Sequence, residues 1–217
     1  SAFSKAESNG CLGVHLEGPF LSEVYKGSMP TKYLKHFDFG FLQRFQEACD
    51  GAIKYITIAP EIAGAFEGIK KIQVLNIVVS IGHSAATYEE AMQAVANGAK
   101  VSTHTLNAMR LIHQHEPAIS GAALASDLYC EIICDGFHLH PHTVDMLMKI
   151  KGPRKLIAIT DSIQAAGLSD GEYVLGAQPI VVTNGDAKLK HENIRAGSTL
   201  TMLNALKNTM QFTNKPL

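Results

Sequence analysis

Gly13-Val14-His15-Leu16-Glu17-Gly18-Pro19-Phe20 is the stretch from which the fold can be read. A short apolar run from Cys11 to Leu16 delivers a carboxylate, and Gly-Pro turns the backbone immediately afterwards. In an α/β protein, that sequence of apolar strand, charged residue and breaker places a metal ligand or an acid/base at the mouth of the sheet. Two later apolar runs end the same way, in His83 and His104, and a third ends in Asp161. Two imidazoles and two carboxylates, each at a strand end, read as a metal-dependent hydrolase site.

Working outward, strand and helix patterns alternate. Ile53–Ala59 alternates and is β-branched until Pro60, and Asn76–Ile81, Lys100–Thr103, Leu128–Cys134 and Leu156–Thr160 are further strands. Between them, helical spacing is expected over 37–49, 62–74, a segment opened by Ser84 or Thr87 and closed by Asn97-Gly98, and Pro141–Ile150. Residues 21–35 read as a long loop, and 106–122 as a loop with room for a short helix. Six strands in alternation argue for a parallel sheet with helical crossovers. Functional residues at several strand ends favour a (β/α) barrel over an open doubly wound sheet. After Gly167 the texture changes to short antiparallel strands, and a helix follows over 198–211 with Met202, Leu203, Leu206 and Met210 on one face. The expected organisation is a partial (β/α) barrel over 1–171, antiparallel strands of a small β-sandwich over 172–192, and a return to the barrel with its last helix over 193–217.

Composition narrows the function. The 217 residues are 46% apolar and 18% charged, which is globular, and the net charge of -1 offers no footprint for nucleic acid or an anionic membrane. The most apolar run, Ile72–Ile81, is too short to span a bilayer, and Ser1–Asn9 is unlike a signal peptide. The four cysteines lack a CxxC spacing and read as reduced thiols of a cytoplasmic protein. Of the ten histidines, His36, His140, His142 and His191 read as surface residues, His113 and His115 as loop residues of either kind, and His15 as pointing away from the surroundings of Glu17.

Glu17, His83 and His104 supply a three-ligand set that leaves a position open for water on a Zn-type ion. Asp161 is then placed to take the water's proton and pass it to a leaving amine. His138, just past another strand end, is a candidate substrate contact.

Six ordered motifs carry a resemblance. His15-Leu16-Glu17-Gly18-Pro19-Phe20, Gly82-His83-Ser84, Thr103 to Met109, Asp135-Gly136-Phe137-His138, Thr160 to Gly167 and Ala196 to Met202 resemble N-acetylglucosamine-6-phosphate deacetylases of the amidohydrolase superfamily. The resemblance covers nearly the whole chain. It implies a metal-dependent TIM barrel that removes acetate from the 2-acetamido group of the sugar phosphate. It carries the metal ligands to Glu17, His83 and His104 and the general base and acid to Asp161. Substrate contacts fall to Asn107, the backbone of Ala108, His138, Ala196 and Gly197. A divalent ion is implied, Zn first with Fe, Mn or Co open, and so are a homodimer and a cytoplasmic setting.

There are departures. The loop after Glu17 reads Lys26-Gly27-Ser28-Met29 where the family has His or Gln last, and a thioether cannot donate a hydrogen bond to a substrate carbonyl. His115 precedes Glu116-Pro117 where the family has the Arg that grips the phosphate, so His115 is the phosphate contact to expect, without the guanidinium's fork. Arg195 stands where the family has Leu, and would restore phosphate charge if it points into the site. A β-sandwich and two further barrel strands expected before the Glu17 motif are missing, so a fragment of a longer protein is expected. Two rival readings stay open: an amidohydrolase for a related N-acetyl amino sugar, and a truncated non-catalytic paralogue.

Overall fold

The computed structural model describes residues 10–216; the stretch Ser1–Asn9, read above as unlike a signal peptide, lies outside them. The chain divides into two compact units, one holding the residues up to Lys26 together with Pro30–Leu128, the other Gly27–Met29 together with the residues from Tyr129.

The first unit carries the parallel strands β1 (Val14–Glu17), β2 (Ile53–Ile58), β3 (Val78–Ile81) and β4 (Val101–Ser102), hydrogen-bonded in chain order. Register sorts their side chains. Leu16, Ile56 and Val79 are aligned, as are Ile58 and Ile81, whereas Glu17, Thr57 and Ser80 are aligned on the opposite face. The apolar face is buried, with Ile56, Ile58 and Ile81 fully enclosed, each such side chain contributing about 1.5–3 kcal/mol. The other face is lined with hydroxyls, and it is the face that carries Glu17.

Helices join these strands. Helix α1 (Phe39–Ala48) is capped by the Asp38 carboxylate, which accepts from Phe41 N. Helix α2 (Ala65–Ile72) buries Ala65, Gly68, Ile69 and Ile72, the stripe expected of a 3.6-residue period. Helix α3 (Tyr88–Ala96) opens with a capping box between Thr87 and Glu90, which settles Thr87 rather than Ser84 as its cap. The short helix for which 106–122 leaves room is present as α4 (Ala118–Ala125), which runs past the expected end of the segment. Its small residues leave no apolar stripe to detect, because it is buried on nearly every side.

The second unit holds the parallel strands β5 (Tyr129–Ile133) and β6 (Leu156–Ile159), joined through helix α5 (Pro141–Lys151). An antiparallel sheet of β7 (Gly171–Leu175), β8 (Gln178–Thr183) and β9 (Asp186–Leu189) follows, with its own core of Ile180, Leu189 and Ala196. Helix α6 (Met202–Thr213) starts later than expected, capped by Thr201, whose hydroxyl accepts from Asn204 N. Three of its four expected stripe residues, Met202, Leu203 and Leu206, are exposed, and Ala205 packs instead with Ile133 and Leu200. Six parallel strands with helical crossovers and a three-stranded antiparallel sheet make a partial (β/α) barrel with a small sheet domain. All four cysteines are free thiols; Cys130 and Cys134 are buried and Cys11 and Cys49 partly so. No helix among the described residues is long and apolar enough to cross a membrane.

Candidate metal centre

Glu17 ends β1, His83 follows β3 by two residues and His104 follows β4 by two. Both histidines adopt positive φ, 47° and 28°, which turns their rings out of the strand direction. Such conformations cost on the order of 1–3 kcal/mol each and persist only where the surroundings hold them. Here the strand pairing continues past the strand ends: Ser84 N donates to Ala108 O (3.2 Å) and Arg110 N to Ser84 O (2.9 Å). The loop after β1 folds back, with Ser22 N donating to the His83 carbonyl at 2.9 Å. Gly82 is needed at this crossing, because a Cβ there would lie 2.8 Å from Thr103 Cβ.

The three side chains converge. Glu17 Oε1 lies 2.6 Å from His83 Nε2 and 3.2 Å from His104 Nε2, and the two Nε2 atoms are 3.0 Å apart. The far nitrogens are committed: His83 Nδ1 donates to Tyr25 O (2.7 Å) and His104 Nδ1 to Asn107 O (3.2 Å). A carbonyl can only accept, so both rings carry a proton on Nδ1 and turn Nε2 inward, where it donates to Glu17 while the ring is an imidazolium and offers a lone pair once that proton gives way to an ion. Two nitrogen lone pairs and a carboxylate oxygen this close call for a positive centre between them. The donor set therefore fits a divalent ion, with backbone carbonyls orienting both imidazoles from behind. Burial alone would raise the Glu17 pKa. The hydrogen bonds from His104 and His83 and their charge outweigh it, holding the carboxyl far below the usual carboxylate range. Among the described residues this is the one cluster of three such ligand side chains.

His15 does not point away, as the sequence suggested. Two residues before Glu17 on the same strand, it shares Glu17's face and pairs through Nε2 with Thr57 Oγ1 at 2.8 Å. Thr57 Oγ1 bonds Thr103 Oγ1 at 2.8 Å, and Thr103 Oγ1 bonds Ser80 Oγ at 2.5 Å. This hydroxyl chain ties together the strands that carry Glu17, His83 and His104. Solvent reaches His15, yet the atoms crowded around it lower its pKa to about 4, the nearby Glu17 charge only partly opposing that.

Sequence reading also passed over Glu61. Its carboxylate accepts from Ser84 Oγ (2.7 Å) and Ala85 N (2.6 Å), fixing the turn that follows His83. The signal was there in Pro60-Glu61, another breaker and carboxylate after a strand. Asn107 and Ala108 sit in the turn after His104. Asn107 N donates to His104 O at 2.9 Å, and Ala108 has a φ of 46°. His115 is exposed, with its ring tilted against that of His113, centroids 5.3 Å apart.

In the second unit, Asp161 follows β6 in a left-handed conformation (φ 49°), and its carbonyl accepts from Ser198 N at 2.8 Å. Ser162 and Ser198 bridge in parallel, and Ser198 Oγ donates to Thr160 O. Gly197 sits against this turn with φ 62°; a Cβ there would lie 2.8 Å from Asp161 O and 2.6 Å from Ile163 Cγ2. Ala196 is wholly buried in the core of the small sheet and its N–H donates to Ala187 O. His138 pairs through Nδ1 with Asp135 Oδ2 at 2.6 Å. Arg195 grips Asp186 with both fork nitrogens, Nε to Oδ1 at 2.8 Å and Nη2 to Oδ2 at 3.1 Å. That pairing, on the small sheet, answers the expectation that Arg195 serves a phosphate: its guanidinium is held by Asp186.

No family model matches the chain. Over 211 residues it is 38% identical to the N-acetylglucosamine-6-phosphate deacetylase of Lysinibacillus sphaericus, covering 97% of this chain and 54% of that protein. The structure of an aspartate-to-alanine mutant of the Mycobacterium smegmatis N-acetyl-D-glucosamine-6-phosphate deacetylase, in complex with N-acetyl-D-glucosamine-6-phosphate, superposes with a TM-score of 0.95. It is 34% identical and is matched over 98% of this chain and 56% of its own. Its relatives are N-acetylhexosamine-6-phosphate deacetylases. They include the N-acetylgalactosamine-6-phosphate deacetylase of Escherichia coli O157:H7, 32% identical over 93% of this chain and 53% of that protein. The chain spans about half the length of the curated deacetylases it matches.

Proposed function

We propose that the protein to which this chain corresponds hydrolyses the 2-acetamido group of N-acetylglucosamine 6-phosphate, giving glucosamine 6-phosphate and acetate. The observation that carries the reading is the convergence of Glu17, His83 and His104 in a chain whose relatives are deacetylases of sugar phosphates. These three residues would hold a divalent ion, Zn first, with Fe, Mn or Co as alternatives for the same donors. Such an ion supplies Lewis-acid polarisation of a carbonyl and lowers the pKa of water.

The remaining steps belong to side chains. The Asp161 carboxylate takes a proton from the attacking water as its oxygen bonds to the amide carbon. Asp161 then delivers that proton to the amide nitrogen as the C–N bond breaks, so the sugar leaves as an amine and acetate remains. Asn107, the Ala108 backbone, His115 and His138 bind and orient the sugar phosphate; Ala196 and Gly197 shape the wall beside Asp161. A cytoplasmic homodimer is part of the reading. So is the division into a barrel portion at 1–171, sandwich strands at 172–192 and a final barrel helix at 193–217.

A second substrate, N-acetylgalactosamine 6-phosphate, is favoured by the relative named N-acetylgalactosamine-6-phosphate deacetylase, together with His115 and Met29, where the resemblance leads one to expect other residues. The test is acetate release by the Zn-loaded chain from both sugar phosphates and from unphosphorylated N-acetylglucosamine, with Asp161→Asn as control. Release from a phosphorylated sugar, lowered at least a hundredfold in the control, is expected. Turnover indifferent to Asp161→Asn would refute the assigned mechanism.

A further inference from the structure

We propose that Asp135 is a positioning residue: it keeps a proton on Nδ1 of His138 and so presents Nε2 as the ring atom that meets the substrate. The inference rests on the reading of His138 as a substrate contact, and adds the group that decides how the contact is made.

The geometry is local and stiff. Strand β5 ends at Ile133, and the buried Cys134 leads directly into Asp135. Gly136, at φ 82°, turns the chain so that residue 138 comes back over residue 135. The two oxygens of Asp135 then divide their work. Oδ1 accepts the backbone N–H groups of Phe137 (2.8 Å) and His138 (2.7 Å), while Oδ2 faces His138 Nδ1 at 2.6 Å. Both side chains are 8% exposed, so solvent does not compete for the pair. Burial alone would raise the Asp135 pKa, but the bonds from His138 outweigh it, and the carboxyl titrates below its usual range. An ionised carboxylate only accepts, so the proton between them belongs to the ring. With Nδ1 fixed as a donor, the character of Nε2 is fixed too. In a neutral ring it accepts a hydrogen bond from a sugar hydroxyl; in a protonated ring it donates to a phosphate oxygen.

Asp135→Asn separates this role from mere folding support. The Asn carbonyl oxygen can keep both backbone bonds, while its amide group turns N–H donors toward Nδ1. That forces the ring proton to Nε2 and reverses the contact without removing a side chain. The readout is the imidazole tautomer in long-range 1H–15N spectra of the full chain, recorded where the ring nitrogen shifts themselves show a neutral imidazole. The His138 signal is assigned by its loss in His138→Gln. The expected result is Nδ1–H in the parent and Nε2–H in Asp135→Asn. A parent with Nε2–H, or a variant with an unchanged tautomer, overturns the proposal. Should Asp135→Asn not fold, the parent tautomer alone decides. The spectra need no substrate, so they stand or fall apart from the proposed hydrolysis. With turnover of the sugar phosphate in hand, Asp135→Asn is expected to raise KM about tenfold, the effect of one reversed hydrogen bond, with a smaller change in kcat. An unchanged KM would also overturn it.

Discussion

Gly197→Ala tests the link between a single glycine and the position of Asp161. Residue 197 has φ 62°, and a left-handed backbone costs an L-residue roughly 1–2 kcal/mol. The added Cβ would also lie 2.8 Å from the Asp161 carbonyl and 2.6 Å from Ile163 Cγ2. Ile163 is partly buried and packs against both hydrophobic clusters of the small sheet, so its side chain gives little ground, and the carbonyl belongs to the backbone. Moving it stretches the bond from Ser198 N to Asp161 O (2.8 Å), and with it the return bond from Ile163 N to Ser198 O (3.0 Å). At about 1 kcal/mol for each of the two weakened bonds, added to the cost of the backbone conformation, the total reaches roughly 3–4 kcal/mol. Gly176→Ala is the control that isolates the close approach: φ is 59° there, and an added Cβ meets nothing within 4 Å. Urea unfolding of both variants and the parent, followed by circular dichroism, gives the two costs. The Gly197 variant should lose about 1–2 kcal/mol more than the Gly176 variant. Its Zn affinity should match the parent's, because Glu17, His83 and His104 lie in the other compact unit. Equal destabilisation by the two variants would show that the Asp161 turn gives way freely and would refute the reasoning.

Two further outcomes follow from charges. Glu17 and Asp135 both have folded-state pKa values below their unfolded ones. Their stabilising contribution is therefore fully present above about pH 4.5, the ordinary carboxylate range, and is lost as pH falls through the folded values. Chelator-treated protein should lose stability steadily below about pH 4.5, and Glu17→Gln should flatten that loss in denaturant titrations run at successive pH values; an unchanged slope would count against the pairing. Arg195→Leu should leave KM for a sugar phosphate unchanged, because its guanidinium is held by Asp186. A KM raised tenfold would show that the fork releases Asp186 for substrate.

How much of this was legible in the sequence depends on whether a feature is local. Residues 53–58 alternate under β-branched side chains, and Thr87 and Glu90 stand at capping-box spacing, so a strand and a helix start could be read within a few residues. Helix α4 could be read only as room for a short helix without bounds: Ala118 to Ala125 is mostly small and apolar, and with six successive residues buried it shows no periodic stripe. The α6 stripe misled for the complementary reason. Period reports which residues share a face, but only tertiary packing decides that Ala205, and not Leu203 or Leu206, turns inward.

The candidate ligands show the same division more sharply. Their positions were legible because a charged residue after an apolar run is conspicuous. What holds them was not, because it comes from far along the chain: Tyr25 O behind His83, Glu61 beneath the turn after His83, Thr57 linking His15 to Thr103. His83, His104 and Asp161 all sit at positive φ, conformations that carry no local propensity and would relax in an isolated peptide. A strained residue is stable only when several distant groups constrain it together. The backbone bonds of Ser84 with Ala108 and Arg110, and of Ser198 with Asp161 and Ile163, are such constraints. Candidate site residues can thus be picked out one at a time from the sequence. Their convergence and backbone geometry are properties of the paired strands, and exist only once the fold has formed.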